Sequence, residues 1–392
     1  MHTRLTPFRR LRSGAAVALG CAALLGVGCR PTEPPPIRIG LIGVYVGAMG
    51  GSSGIPARRG AEIAIAEINA GGGVQIGGRA HRLQLVDVGV ENRPDAAAVG
   101  ARQLINLDSV DVIIGPQIST LAIAAGAVAE EAEILMIAPM ASNPLVTAGR
   151  QFVFRLAFLD AFQGEVLARF AYDSLGIRRA AILHDAASPY GSDISALFAQ
   201  TFTTLGGRIV ALERYDIDGP EDYRPQLQRL LAGDPQALLL PNFVTGDSTQ
   251  MRQARSLGFR GRFLGTDSWD VRGLASVPGA QGSLIVGNWD RDTTRVNARR
   301  FHAAWTAMDA EPPRATAAAT YDAIHLVTQA MARAGSRDGT VLADSLRWFG
   351  RHEGAVTTYD FRGSNDPVRG AALLELRADG LGVRSSVPPP SR

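Results

Sequence analysis

Between Ile37 and Gly265, short apolar runs alternate with amphipathic segments, and this rhythm constrains the fold more than any other feature of the chain. The spacing predicts strands over 37–46, 82–88, 110–114 and 135–138, separated by helices over 57–69, 95–107 and 121–131. The pattern then starts again. Helices are expected over 163–174, 192–205, 223–232 and 248–257, alternating with strands over 180–184, 209–214, 237–240 and 262–265. Runs this short and apolar on both faces suit parallel strands covered on two sides, and the helices between them make βαβ units. In the first helix Ala61, Ile65 and Ile68 mark the stripe that faces the sheet, and Gly71-Gly72-Gly73 stops it. Two doubly wound α/β sheets of ordinary domain size are expected, with ligands bound in a crevice outside the carboxyl ends of the strands. Residues 285–385 show fewer strand patterns, with helices over 296–308 and 316–334, and are expected to complete both lobes. The Pro-rich end, 386–392, reads as a disordered tail.

The first 28 residues obey a different logic. Arg4, Arg9, Arg10 and Arg12 precede an apolar stretch from Gly14 to Val27, and no acidic residue interrupts them. That stretch is shorter than the ~20 residues of a membrane-spanning helix, so the segment reads as an export signal. Leu25-Gly26-Val27-Gly28-Cys29 resembles the lipobox of bacterial lipoproteins, although Gly26 stands where that motif usually has Leu. The resemblance implies that Cys29 is lipidated and anchors the exported chain to a membrane; the alternative is a plain secretory signal with an incidental Cys29. Residues 30–36, with four prolines, form a stiff tether. Cys21 lies inside the apolar stretch, leaving the body of the chain without a disulfide, a redox pair or a cysteine-based zinc site. All 40 basic residues are arginine, which excludes a P-loop lysine and Schiff-base chemistry. Beyond residue 28, 36 arginines face 37 acidic residues, and this near-neutral balance weighs against a nucleic-acid groove. No cofactor or metal motif is present.

Chemistry is expected at the strand ends. After the strand over 110–114 comes Gly115-Pro116-Gln117-Ile118-Ser119-Thr120, opening into a helix. Ser119 reads as its N-cap, and free N–H groups with the positive end of the helix dipole suit a carboxylate there. The same residue would equally serve as a cap that binds nothing. After the strand over 135–138 comes Pro139-Met140-Ala141-Ser142-Asn143-Pro144, a second turn with a hydroxyl. Consecutive strands are usually neighbours, so Ser119 and Ser142 are placed to flank one small anion.

Taken in order, IIGPQIST, ILMIAPMASNP, HDAASPYGSD, MRQARSLGF and FLGTDSWD resemble the bacterial leucine/isoleucine/valine-binding proteins, type I periplasmic solute-binding components of ABC importers. RRGAEIAIAEINAGGGV and ATAAATYDAIHLVTQAMARAGS extend the resemblance to about residues 37–380. It implies two lobes joined by three crossovers near residues 157, 288 and 357. The amino-terminal lobe is then 37–157 with 289–357, and the carboxyl-terminal lobe 158–288 with 358–385. It also implies that Ser119, Thr120, Ala141 and Ser142 hold the α-carboxylate of an amino acid, that Asp267 takes the α-ammonium, and that Tyr190 reaches the ligand. Without the resemblance, Asp267 reads as a surface or capping residue and Tyr190 as a packing one. Closure of the lobes on a zwitterion and delivery to an ABC permease are the implied function, with a ligand-sensing or regulatory envelope lipoprotein of the same fold as the alternative.

Two positions depart from the family. Ser53, in Gly50-Gly51-Ser52-Ser53-Gly54, stands where branched-chain binders carry an aromatic residue, and Phe243 replaces a site tyrosine. Trp269 and Trp289 are candidates to rebuild the pocket, or ordinary core aromatics. The same glycine-rich loop matches G-x-S-x-G, so a serine hydrolase using Ser52 is a remote rival; that elbow needs a sharp turn directly on its strand and a histidine partner.

Overall fold

The computed structural model describes residues 33–47, 50–216, 221–242, 247–269, 274, 276–289, 291, 294–308, 311–378 and 380–388. The chain divides into two compact units, residues 1–35 and 36–392. Of the first, only 33–35 are described, without regular secondary structure, so the expected export signal and Cys29 lie outside the described residues.

In the second unit the alternation becomes two sheets. Strands β1 (Ile37–Gly43), β4 (Leu83–Gly89), β5 (Val112–Ile114), β6 (Met136–Ala138) and β7 (Val153–Arg155) form a parallel sheet of order β4-β1-β5-β6-β7. A small hairpin, β2 (Val74–Ile76) and β3 (Arg79–His81), precedes β4. Helices α1 (Ile55–Ala70), α2 (Pro94–Asn106) and α3 (Ser119–Glu131) cover the sheet. The chain then passes into a second sheet through α4 (Asp160–Arg169), β8 (Arg179–Asp185), α5 (Pro189–Thr204), β9 (Arg208–Tyr215) and α6 (Arg224–Leu231). It continues through β10 (Ala237–Leu239), α7 (Asp247–Ser256), β11 (Arg262–Gly265) and β12 (Leu284–Gly287).

Helices α8 (Val296–Met308), α9 (Ala315–Ala334) and α10 (Gly339–Arg347) return to the first lobe, where Phe301, Tyr321, Ile324 and Leu342 share one core with Ile39, Ile114 and Phe154. Small residues bring α9 onto α1: a Cβ built on Gly60 would stand 2.1 Å from the Ala317 carbonyl oxygen, so only glycine permits this approach. A hairpin of β13 (Arg351–Glu353) and β14 (Thr358–Asp360) follows. Finally β15 (Ala371–Arg377) and β16 (Gly380–Val387) add antiparallel strands to the second sheet, giving the order β16-β15-β12-β11-β10-β8-β9.

Two boundaries differ from the sequence expectation. The third crossover falls between Asp366 and Ala371 rather than near 357. Tyr359 and Phe361 are buried in the first-lobe core, and Asp366 pairs with the fully buried Arg155 at 2.6 Å. Ser386 and Val387, expected in a disordered tail, pair with Ala372 and Ala371 as the last rungs of β16. Arg369 lies where the three passes meet. Its guanidinium donates to the carbonyl of Leu156 in the first crossover at 2.9 Å and to that of Asn288 in the second, while its own backbone belongs to the third. Among the described residues no helix is long and apolar enough to cross a membrane.

Candidate functional site

Polar turns leave the carboxyl ends of β5 and β6 side by side because those strands are hydrogen-bonded neighbours. The first turn bends at Gly115, whose φ of 87° and whose close approach to the Ile42 carbonyl both require glycine. Ile118, not Ser119, is the N-cap of α3, and Ser119 is its first helical residue. The cap reading of Ser119 is therefore corrected. Its hydroxyl accepts instead from the backbone N–H of Asn143 at 3.3 Å, tying the two turns together. Arg155 fixes the second turn from beneath, donating to the carbonyls of Asn143 at 2.8 Å and Pro144 at 3.2 Å. This buried arginine was invisible to motif reasoning, since its partners lie on the preceding turn and, at Asp366, far along the chain rather than on its own strand.

The opposing wall comes from the second lobe. Asp267 follows β11, and its carboxylate accepts from the Tyr190 hydroxyl at 2.6 Å and from the Asn288 side-chain amide. Gln163 in α4 accepts from the Asp267 backbone N–H at 3.3 Å. Burial pushes the Asp267 carboxyl up from its ordinary value, opposed by the Tyr190 and Gln163 bonds. Burial, then the charge of Asp267, hold the Tyr190 phenol well above its usual range. A second carboxyl, Asp160, lies nearby with no exposed surface; burial pushes it up to about 7, the charge of Asp267 adding to the effect and a Ser142 hydrogen bond opposing it.

Between the walls lies a cavity of about 190 Å³, lined by Ser53, Ser119 and Ser142 from one lobe and by Tyr190 and Asp267 from the other. Those five expected residues are brought together. Thr120 is exposed and is not part of the lining; Ala141 is buried behind it, its carbonyl facing Arg155. Phe243 lies outside the described residues. Trp269 and Trp289 both line the cavity while almost wholly buried, so they are wall and core at once; the Trp269 indole donates to the Leu240 carbonyl at 2.8 Å. Sequence reasoning missed Gln117 and Asn288, whose buried side-chain oxygens have no partner among the described residues, and Arg291 and Arg314, which also line the cavity. Asn288 follows β12 at a crossover, a strand end of the kind that marked the other site residues. Ser52 is in the same wall, but no histidine is among the described lining residues, which leaves a hydrolase triad without its base.

One contact already spans the lobes away from the cavity: the Asn143 side-chain amide donates to Asp193 of α5 at 3.2 Å. Chemically, the arrangement offers neutral donors at the turns after β5 and β6, a carboxylate after β11, two arginines that also line the cavity, and a hinge between the lobes.

Comparison with known proteins agrees with this architecture. The family model described as "Periplasmic binding protein" matches residues 36–380. The Leu/Ile/Val-binding protein of Escherichia coli is 27% identical over 276 residues, covering 70% of this chain and 72% of that one. A leucine-, isoleucine-, valine-, threonine- and alanine-binding protein of Pseudomonas aeruginosa is 25% identical over 332 residues, covering 83% and 86%. Among solved structures, the branched-chain amino acid transporter substrate-binding protein of Streptococcus pneumoniae, in complex with isoleucine, superposes with a TM-score of 0.81 at 25% identity, covering 91% of this chain and 100% of that one. With a match that runs through both lobes and every crossover, the chain belongs to the periplasmic binding protein family.

Proposed function

We propose that this protein captures a free amino acid or related zwitterion in its interlobe cavity by hinge closure and delivers it to the permease of an ABC importer. One observation carries the reading: Asp267 of one lobe and the tied hydroxyl turns of Ser119 and Ser142 of the other line a single cavity. The ammonium pairs with the carboxylate of Asp267, and the carboxylate meets the hydroxyls and backbone N–H groups at the start of α3. A solute that touches both lobes stabilises the closed form over the open one by the difference in its affinity for the two, and no bond is made or broken. Relatives named as amino-acid binders support this solute class. As a periplasmic binding protein the chain works outside the cytoplasmic membrane, and we assign its attachment there to lipid on Cys29, on the strength of the lipobox-like segment alone.

The test is a thermal-shift screen of the purified protein against the common amino acids, their amides and small carboxylates. A ligand that binds only the folded form raises the melting temperature, by about 2.7 kcal/mol of stabilisation at a hundred times its Kd. At least one free amino acid is expected to do so. A rise with simple carboxylates and none with any amino acid would contradict the zwitterion reading.

A further inference from the structure

We propose that Asp160 is a positioning residue that governs Ser142 through its proton, so that the cleft closes on its solute with Asp160 in the acid form and capture takes up a proton. This rests on the zwitterion reading above and adds a regulation to that site. Asp160 is the first residue of α4, on the pass from the first lobe to the second, and it has no exposed surface. Its backbone N–H donates to the Ser142 carbonyl at 3.2 Å, and its Oδ1 accepts from the Gln163 side-chain amide at 3.4 Å. The oxygen of that amide accepts from the Asp267 backbone N–H at 3.3 Å. One buried carboxyl therefore joins the turn assigned to the solute's carboxylate and, through a single amide, the loop assigned to its ammonium.

Two carboxyls in one buried site do not ionise together readily, and the proton settles on the one with fewer donors. Asp267 has close donors in Tyr190 and Asn288, so it keeps the charge. Asp160 has the long Gln163 bond; its Oδ2 has no close partner among the described residues, and the Ser142 hydroxyl is a looser donor to it. The charges that act on Asp160 come from separate elements. Asp267 after β11 and Asp193 in α5 favour its acid form, and Arg155 in β7 favours the anion. Arg155 is already engaged by Asp366 at 2.6 Å. Burial is the largest influence, and it pushes the Asp160 carboxyl up to about 7.

The Ser142 hydroxyl has one proton to give. While Asp160 is ionised, it competes with the solute's α-carboxylate for that proton, and the two anions repel. In the acid form Asp160 donates to the Ser142 oxygen instead, which turns the Ser142 proton toward the solute. The solute's carboxylate meets Ser142 directly, whereas Gln163 separates Asp160 from the loop that takes the ammonium, so binding raises the Asp160 pKa further. Proton and solute then favour one another, and affinity falls as pH rises above about 7. Ionisation of Asp267 would act in the opposite direction, strengthening its hold on the ammonium, so the sign of the slope tells the two carboxyls apart.

The experiment is calorimetric titration of the protein with leucine, isoleucine, valine, threonine and alanine, and with the other common amino acids if none of these binds. Each binder is measured at about pH 6 and about pH 8.5, and near pH 8 in phosphate and in Tris, whose heats of ionisation differ and so report the protons exchanged. Affinity is expected to be about fivefold or more weaker at the higher pH, with a fraction of a proton taken up on binding. The isosteric variant Asp160→Asn should flatten the pH profile and remove the uptake. The buffer pair needs no variant, so the native protein alone decides the matter if that variant does not fold. Equal affinity at both pH values, or a proton released, would overturn this inference alone where Asp267→Asn still abolishes binding. A slope that survives in Asp160→Asn would overturn the role of Asp160. Binding of no amino acid would overturn both this inference and the zwitterion reading.

Discussion

The two walls of the cleft solve opposite problems. At the turns after β5 and β6 the polar groups are neutral: the hydroxyls of Ser119 and Ser142, the backbone of adjacent turns, and a helix start, held by Arg155 from the same sheet. In the second lobe the cavity is lined by one carboxylate, Asp267, whose donors come from separate segments, Tyr190 in α5 and Asn288 at a crossover, while Gln163 in α4 fixes its backbone. Dipoles are cheap to bury when paired, whereas a charge needs several donors and a partner to stay ionised. The first wall should therefore tolerate single changes, and the second should be sensitive to both substitution and pH.

The largest expected effect is on Asp267. Replacement by Ala should weaken binding of the native solute by about 2 to 5 kcal/mol, the usual consequence of truncating one partner of a buried charge pair. Calorimetry showing full affinity in that variant would remove the asymmetry between the walls. The next effect is on stability. Burial holds the folded-state pKa of Asp160 up at about 7, far above the ordinary carboxylate range. Between the unfolded and folded values the folded state then binds more protons, so this group lowers stability as pH rises from about 4 to 7. In Asp160→Asn the melting temperature should fall less over that window than in the native protein, although Asp322, raised to about 6, contributes with the same sign in both. Parallel melting curves against pH would show that Asp160 does not carry this charge. The smallest effect belongs to the neutral wall. Ser142→Ala should reduce affinity by about 0.5 to 1.5 kcal/mol, the net contribution of one ordinary hydrogen bond, because neighbouring amides remain. A loss as large as that of Asp267→Ala would mean that the anion depends on one hydroxyl.

Much of this organisation was readable in the chain because the signals are local. From Ile39 onward β1 is an apolar run buried on both faces, α1 carries the expected stripe of Ala61 and Ile65, and Ser119 and Ser142 follow strands that are consecutive in sequence and adjacent in the sheet. Asp267 and Tyr190 were found through resemblance, since nothing in their immediate surroundings separates a ligand-binding Asp from a solvated one. What escaped depends on contacts between distant segments. Arg155 meets Asp366 211 positions later, and that pair moves the third crossover past 357; Arg369 reaches Leu156 across 213 positions. Periodicity reports the face a residue presents, not which remote segment will meet it. The Ser119 cap was misread for the same reason, because its hydroxyl finds Asn143 on the next turn rather than its own helix.

The central claim, that each lobe grips one end of a zwitterion, is tested most directly by titrating the protein with its amino acid and with two derivatives, one acetylated on the α-amine and one carrying an α-carboxamide. The amine block removes the partner of Asp267, and the amide removes the anion met by the Ser119 and Ser142 turns. Both derivatives are expected to bind at least about a hundredfold more weakly, some 2.7 kcal/mol. A derivative that keeps the parent affinity would contradict the account, because the wall facing its altered end would then not be holding the ligand.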